Sequence, residues 1–166
     1  GIISLTGYEC IFGYVVNNDQ AYNRNLAYAE HLSSSFKITN EQIQENITNV
    51  RKISETLIRN GWIFASSTYS NYPVAGNTLE FLIEDTNKWK SQVEVFTGHV
   101  RIFLFPHGSS VFSGDARTNY LIGQGFVIHS GIGPTAYFYH GESYLFMDRV
   151  FLNGYTMRTS DLSRFF

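Results

Sequence analysis

With one cysteine, Cys10, the chain has no pair from which to close an internal disulfide. Charge of either sign is sparse. Lys and Arg number 12 against 14 Asp and Glu, a net charge of −2, and no basic run occurs. A surface that tracks phosphates needs clustered Lys and Arg, so no nucleic-acid partner is expected. Apolar runs are short, residues 102–105 among the longest, and a membrane helix needs roughly 20 apolar residues, so no span is expected. No export leader opens the sequence. Gly1 passes directly into Ile2-Ile3-Ser4-Leu5, as a segment of a longer chain does when it begins inside a strand. Repeats, linkers and low-complexity stretches are missing too, and 166 residues suit one layered domain over residues 1–166.

What is present suits a packed core. Hydrophobic residues make up 43% and charged residues 16%, ordinary values for a globular chain. Aromatic side chains are plentiful, with 14 Phe, 11 Tyr and 2 Trp. Such rings stack on sugars in binding clefts, although core filling is their commoner use.

Periodicity predicts alternating strands and helices. Residues 2–5 read as a buried strand and residues 21–36 as a helix. Thr39 and Gln42 form a capping box, followed by Ile43, Ile47, Val50, Leu57 and Ile58 at helical spacing, with Asn60-Gly61 as the stop. Residues 62–66 read as a second buried strand. A third helix runs from Thr78 to about Gly98, and residues 100–105 form a strand stopped by Pro106 and Gly108. Asp115 caps a short helix ended by Gly125, and residues 126–129 are again a strand. Residues 135–139 and 143–147 flank Gly141-Glu142 as a hairpin, and a last helix begins near Ser160. This alternation implies an α/β fold with mainly parallel strands. Its ligand loops are those after the strands' carboxyl ends, at residues 67–71, 106–110 and 130–134.

Local motifs are weak. Residues 131–136 match Gly-x-Gly-x-x-Ala, but Pro134 and the Tyr-Phe-Tyr segment continue as a strand where a dinucleotide site needs a helix, so a turn is the better reading. No Gly-x-Ser-x-Gly elbow or P-loop occurs, leaving Ser109 and Ser110 poor nucleophile candidates. Cys10 beside a strand suits packing. The five histidines, His31, His99, His107, His129 and His140, show no metal-ligand spacing. His107 sits in a post-strand loop and His129 at the end of the next strand, and for each a hydrogen-bonded structural role is the commoner case. Asn46-Ile47-Thr48 fits a glycosylation sequon but falls inside a helix.

Three stretches together resemble the polysaccharide deacetylases, the NodB-homology domains of carbohydrate esterase family 4. Leu57-Ile58-Arg59-Asn60-Gly61-Trp62-Ile63-Phe64-Ala65-Ser66-Ser67-Thr68-Tyr69-Ser70-Asn71 is similar to that family's helix, glycine and strand leading to Ser-His-Thr-Tyr-Ser-His. Residues 81–98 resemble its Glu-Asp-Thr-x-Lys-Trp helix, and Pro106-His107-Gly108 its Pro-Tyr-Gly strand end. Tyr120-Leu121-Ile122-Gly123-Gln124-Gly125-Phe126 and Phe146-Met147-Asp148-Arg149-Val150 are similar to later steps. The likeness covers roughly residues 50–158.

That resemblance implies a distorted (β/α) barrel of NodB type, here missing the first strand. It also implies a cleft for N-acetylated polysaccharide, lined by Ser67, Tyr69, Asn71, Pro106, His107, Gly108 and His129, at the cell envelope or outside the cell. Family members hold zinc or a similar metal with one aspartate and two histidines four residues apart, and a second aspartate takes the proton from the attacking water. Ser67 and Asn71 stand at the two histidine positions here, and neutral oxygens are far poorer zinc ligands than imidazole. No Asp-Asp pair occurs, Leu104 replaces the arginine before the proline, and no late Leu-x-His appears. No cofactor is therefore expected, and zinc only if an upstream aspartate and further ligands are supplied. The backbone amide that helps hold the oxyanion in the family falls on His107. Three functions follow: a degenerate deacetylase-like domain that binds such glycans, a hydrolase recruiting His107 or His129 with residues outside the segment, or a structural domain with Tyr69 and Tyr72 simply packed.

Overall fold

The first apolar run forms strand β1 (Ile2–Leu5) in a computed structural model that describes residues 1–28, 38–133 and 136–159. β1 pairs in parallel with β2 (Ile63–Ser66), Ile2 opposite Ile63 and Leu5 opposite Ser66. Only Leu5 of β1 is buried, so this strand is less enclosed than its composition predicts, whereas Phe64, Ala65 and Ser66 of β2 are all inside. Helix α1 (Asn18–Tyr28) starts three residues before the predicted position. There the Asn17 side chain accepts the Gln20 N–H at 2.8 Å, a local cap. The rest of the predicted helix, with His31, lies outside the described residues.

Helix α2 (Asn40–Arg59) follows its sequence closely. Thr39 Oγ1 accepts the Gln42 N–H at 3.2 Å and Gln42 Oε1 accepts the Thr39 N–H at 2.8 Å, closing the capping box. Ile43 and Val50 are buried along one stripe, and Gly61 at φ 77° turns the chain out. The third predicted helix is a composite: α3 (Leu79–Trp89), a π-helical turn (Lys90–Glu94) and α4 (Val95–Thr97), with Gly98 at φ 70° as the stop.

The chain divides into two compact units, Gly1–Asn71 with Glu84–Val100, and Tyr72–Ile83 with Arg101–Phe166. The first centres on Ile11, Val50, Phe64, Tyr69, Trp89 and Val93, all essentially inaccessible to solvent. Trp89 donates its indole N–H to the Leu5 carbonyl at 2.9 Å, tying the helix to the end of β1.

The second unit carries β3 (Ile102–Leu104), α5 (Ala116–Gly123), β4 (Ile128–Ile132), β5 (Phe138–His140), β6 (Leu145–Arg149) and a short α6 (Thr156–Thr159). Strand β4 pairs in parallel with β3 on one side and β6 on the other, and β5 lies antiparallel to β6 as the predicted hairpin. Among the described residues, three of the four pairings within the units are thus parallel, the α/β class that the alternation predicts. Phe103, Phe105, Phe126, His129 and Phe146 form the core here. Two boundaries differ. Residues 130–132 are not a post-strand loop, because Ser130, Gly131 and Ile132 extend the ladder opposite Met147, Asp148 and Arg149. His129 is accordingly the second residue of a strand rather than its end. The helix predicted near Ser160 lies outside the described residues, beyond α6.

Candidate functional site

The loop after β2 is fixed by a carboxylate from α3. Asp85, buried, accepts the backbone N–H groups of Tyr69 at 2.6 Å and Ser70 at 2.9 Å. Burial raises its pKa, and the two hydrogen bonds pull partly the other way. Thr68 and Asn71 both take left-handed φ, 60° and 52°, an uncommon backbone state for such residues that the clamp on the intervening pair sustains. Ser67 is half-buried, its N–H donating to the Leu5 carbonyl at 3.1 Å, and Asn71 is exposed.

Tyr69 is packed inside the first unit. It is 1% exposed, its hydroxyl donates to Gln92 Oε1 at 2.8 Å, and its carbonyl accepts from Gly7 and Tyr8. Burial first, then the nearby Asp19 and Asp85 carboxylates, push its pKa up to about 12. A ring sealed in this way is a core strut and does not face a ligand. Gln92 also accepts from Asn17 at 2.9 Å and donates to Asp19 at 2.9 Å, so the π-helical turn that positions it completes a polar network inside the first unit.

In the second unit, Pro106–Gly108 form a single 3-10 turn. His107 is exposed and left-handed at φ 56°, Pro106 is buried, and Gly108 has φ 70°. A Cβ on Gly108 would also lie 3.1 Å from Ile132 Cβ, a tight contact, so both the backbone and the space favour glycine here. His129 is packed too, in the hydrogen-bonded role that is the commoner case for such a residue. It is fully buried among Phe103, Phe105 and Tyr144, with Nε2 2.9 Å from the Phe126 carbonyl. Accepting from it, that carbonyl fixes the proton on Nε2, and burial lowers the pKa to about 4. The ring is neutral near pH 7 and is walled off from any substrate. The expected residues thus fall into both units: Ser67, Tyr69 and Asn71 in the first, Pro106, His107, Gly108 and His129 in the second.

The second unit has a cleft of its own, lined in part by the loops named from the sequence (Gly108, Ser110, Ile132 and Gly133) and in part by residues that sequence reasoning missed, Phe112, Tyr137, Phe146 and Asp148. The cleft measures about 490 Å³. It opens beyond the carboxyl ends of β3 and β4 and along the end of β6, where α/β folds bind ligands. A smaller pocket of about 120 Å³ shares Phe112, Tyr137 and Phe146 with it and adds Ser113, Tyr139 and Tyr144. The signal was present as period-two spacing. Phe146 and Asp148 alternate along β6 with Tyr144 just before it, Tyr139 lies on β5 with Tyr137 just before it, and residues two apart on an extended chain share a face.

The Gly-x-Gly motif makes room for this face. A Cβ at Gly131 would lie 2.6 Å from Ser110 Oγ, 2.9 Å from Phe146 Cζ and 3.0 Å from Asp148 Oδ1, and one at Gly133 would overlap the Asp148 carboxylate. These glycines leave room for the Asp148 carboxylate. Burial raises the Asp148 pKa, with Arg149 opposing. The Arg149 guanidinium is itself engaged by backbone, donating to the carbonyls of Ser130 at 2.6 Å, Gly131 at 3.1 Å and Phe105 at 2.8 Å. It holds strand ends together.

Compared with known proteins, the chain matches no family description, no curated protein and no solved structure.

Among the described residues, no three His, Cys, Asp or Glu side chains converge on a point that suits a metal ion. Ser67 and Asn71, a hydroxyl and an amide, do not fit the zinc site that the family resemblance implies. Also among the described residues, no helix is long and apolar enough to cross a membrane.

Proposed function

We propose that this chain is a carbohydrate-binding domain of polysaccharide deacetylase-like, NodB type that works without the family's catalytic metal on N-acetylated glycans of the cell envelope. The observation that carries this reading is the aromatic-walled cleft at the strands' carboxyl ends, with Tyr137 48% and Phe112 55% exposed and Asp148, Ser110 and backbone polar groups at its floor. An exposed ring offers a face for a pyranose, and the carboxylate and hydroxyl accept or exchange hydrogen bonds with sugar hydroxyls. The parallel pairings are those a (β/α) barrel of this type needs.

The end of β1 supplies none of the family's aspartates. β1 pairs in parallel with β2 and its exit carries Thr6, Gly7, Tyr8 and Glu9, whereas in the family the aspartate pair can lie upstream of this stretch. A Cβ on Gly7 would meet the Tyr69 ring at 2.5 Å and Val93 at 2.7 Å, so no aspartate fits there without repacking.

Calorimetric titration with chitooligosaccharides and peptidoglycan fragments tests the proposal. Binding with millimolar or tighter Kd is expected, weakened about tenfold, or ~1.4 kcal/mol, by Tyr137→Ala, with no acetate released in the presence of zinc, cobalt or nickel. Silence with both glycans up to about 10 mM, a range covering affinities weaker than 4 kcal/mol, would sink the binding reading. Metal-dependent acetate release would sink the degenerate one.

A further inference from the structure

We propose that the smaller aromatic pocket of the second unit is a binding site for an organic ammonium group. Five rings line it, those of Phe112, Tyr137, Tyr139, Tyr144 and Phe146, with Ser113 as the remaining wall. They are not one stacked cluster but a concave set: Phe112 and Tyr137 lie 5.2 Å and 6.0 Å from Phe146 by ring centroid, and Tyr139 lies 5.7 Å from Tyr144 at an interplanar angle of 49°. Ring faces carry negative quadrupole charge, and several tilted rings around a small space attract a cation from several directions without a formal ion pair. At about 120 Å³ the pocket admits a small head group and not a whole sugar chain.

Charge around the pocket points the same way. Among the described residues, neither it nor the adjoining cleft is lined by a Lys or Arg side chain, and the charged lining residue is Asp148. That carboxylate lines the larger cleft close to Phe146, a wall of both cavities: Asp148 Oδ1 and Phe146 Cζ lie 3.0 Å and 2.9 Å from the same Cβ position on Gly131. Arg149, the nearest cation in sequence, acts on Asp148 through space, but its guanidinium hydrogen-bonds to three carbonyls and lines neither cavity. Burial costs the Asp148 carboxylate some of its solvation, which an approaching cation restores.

Two sources share this chemistry: a quaternary ammonium of the choline kind, and the primary ammonium of a de-N-acetylated hexosamine. The inference does not rest on the glycan proposal, because the pocket and its charge stand whether or not the larger cleft takes sugar.

The test is NMR titration of the intact chain with choline, with glucosamine, and with 3,3-dimethyl-1-butanol, the uncharged isostere of choline. Choline is expected to shift the ring resonances of Tyr137, Tyr139 and Tyr144, with the neutral isostere at least about tenfold weaker. The isosteric Asp148→Asn and the exposed-site Tyr137→Ala should each weaken choline about five- to tenfold while circular dichroism stays unchanged. Glucosamine binding as well as choline would assign the primary ammonium, and choline alone the quaternary one; either supports the site. Equal binding of the isostere, shifts that avoid these tyrosines, or no shift with any ammonium would overturn it. Choline binding without chitooligosaccharide binding would fail the glycan proposal alone, and the reverse would fail this one alone.

Discussion

His129 shows how burial decides what a histidine does. Its ring is enclosed by Phe103, Phe105 and Tyr144, with Nε2 donating to the Phe126 carbonyl, and its pKa falls from 6.5 to about 4. Because the folded pKa lies below the unfolded one, the unfolded chain binds the proton more readily between these values. The histidine's contribution to stability is therefore complete above about pH 6.5 and is lost as pH falls through about 4, a change on the order of 3 kcal/mol. Asp85 and Asp148, whose pKa values are raised, act in the opposite sense over the acid range, so the histidine must be isolated by difference. Urea unfolding of the wild type and of His129→Leu, from pH 7 to pH 4, should show the wild type losing stability faster. Parallel curves would mean that the ring titrates normally. The sequence offered a hydrogen-bonded structural role for His129 and a packed Tyr69 as readings, but not their partners or the depressed histidine pKa. Which faces of β4 and of the post-β2 loop point inward depends on partners many residues away. Asp85 was missed for the same reason, its two acceptor contacts lying 15 and 16 residues back.

At the scale of elements, legibility follows how local the determining physics is. Helix α2 was readable end to end, because a capping box, an apolar stripe and a glycine stop all act within a few residues. The segment after α3 was readable as helical but not as π-helical at Lys90–Glu94, where Gln92 bonds to Asn17, Asp19 and Tyr69 from distant parts of the chain. Strand β4 was cut short because glycine usually signals a turn, whereas Gly131 and Gly133 here sit against the Asp148 side chain from β6. This makes glycine substitutions informative. Gly131→Ala places a methyl 2.9 Å from Phe146 Cζ, and Phe146 is buried at 1% exposure with little freedom to move. A loss of roughly 1–3 kcal/mol is expected from such overpacking. Gly123→Ala in α5 meets nothing within 4 Å and has no positive φ, so it should be neutral or stabilising by up to about 1 kcal/mol. Denaturant midpoints of the two variants separate these outcomes. Equal midpoints would show that the end of β4 is not packed as described.

For the molecule as a whole, the α/β class was legible because alternating strand and helix periods survive in any local window. The division into two units was not, since the chain passes from one to the other inside helix α3, between Ile83 and Glu84, where composition gives no linker. The family resemblance acts at this scale too, and it leads to a quantitative expectation about metal. Ligand that binds only the folded state stabilises it by mass action, so a site with Kd near 1 μM at about 1 mM metal would add about 4 kcal/mol. For a chain of this size that raises Tm by on the order of 10 °C. Ser67 and Asn71 supply no imidazole, the exit of β1 supplies no aspartate, and no cluster of three suitable ligands occurs among the described residues. Zinc, cobalt and nickel are each expected to leave Tm within about 1 °C of its value in chelator, the shift a ligand far from saturation produces. A rise near 10 °C that chelator reverses would mean that other side chains assemble a metal centre, and the cleft would then have to be reconsidered as a site of hydrolysis.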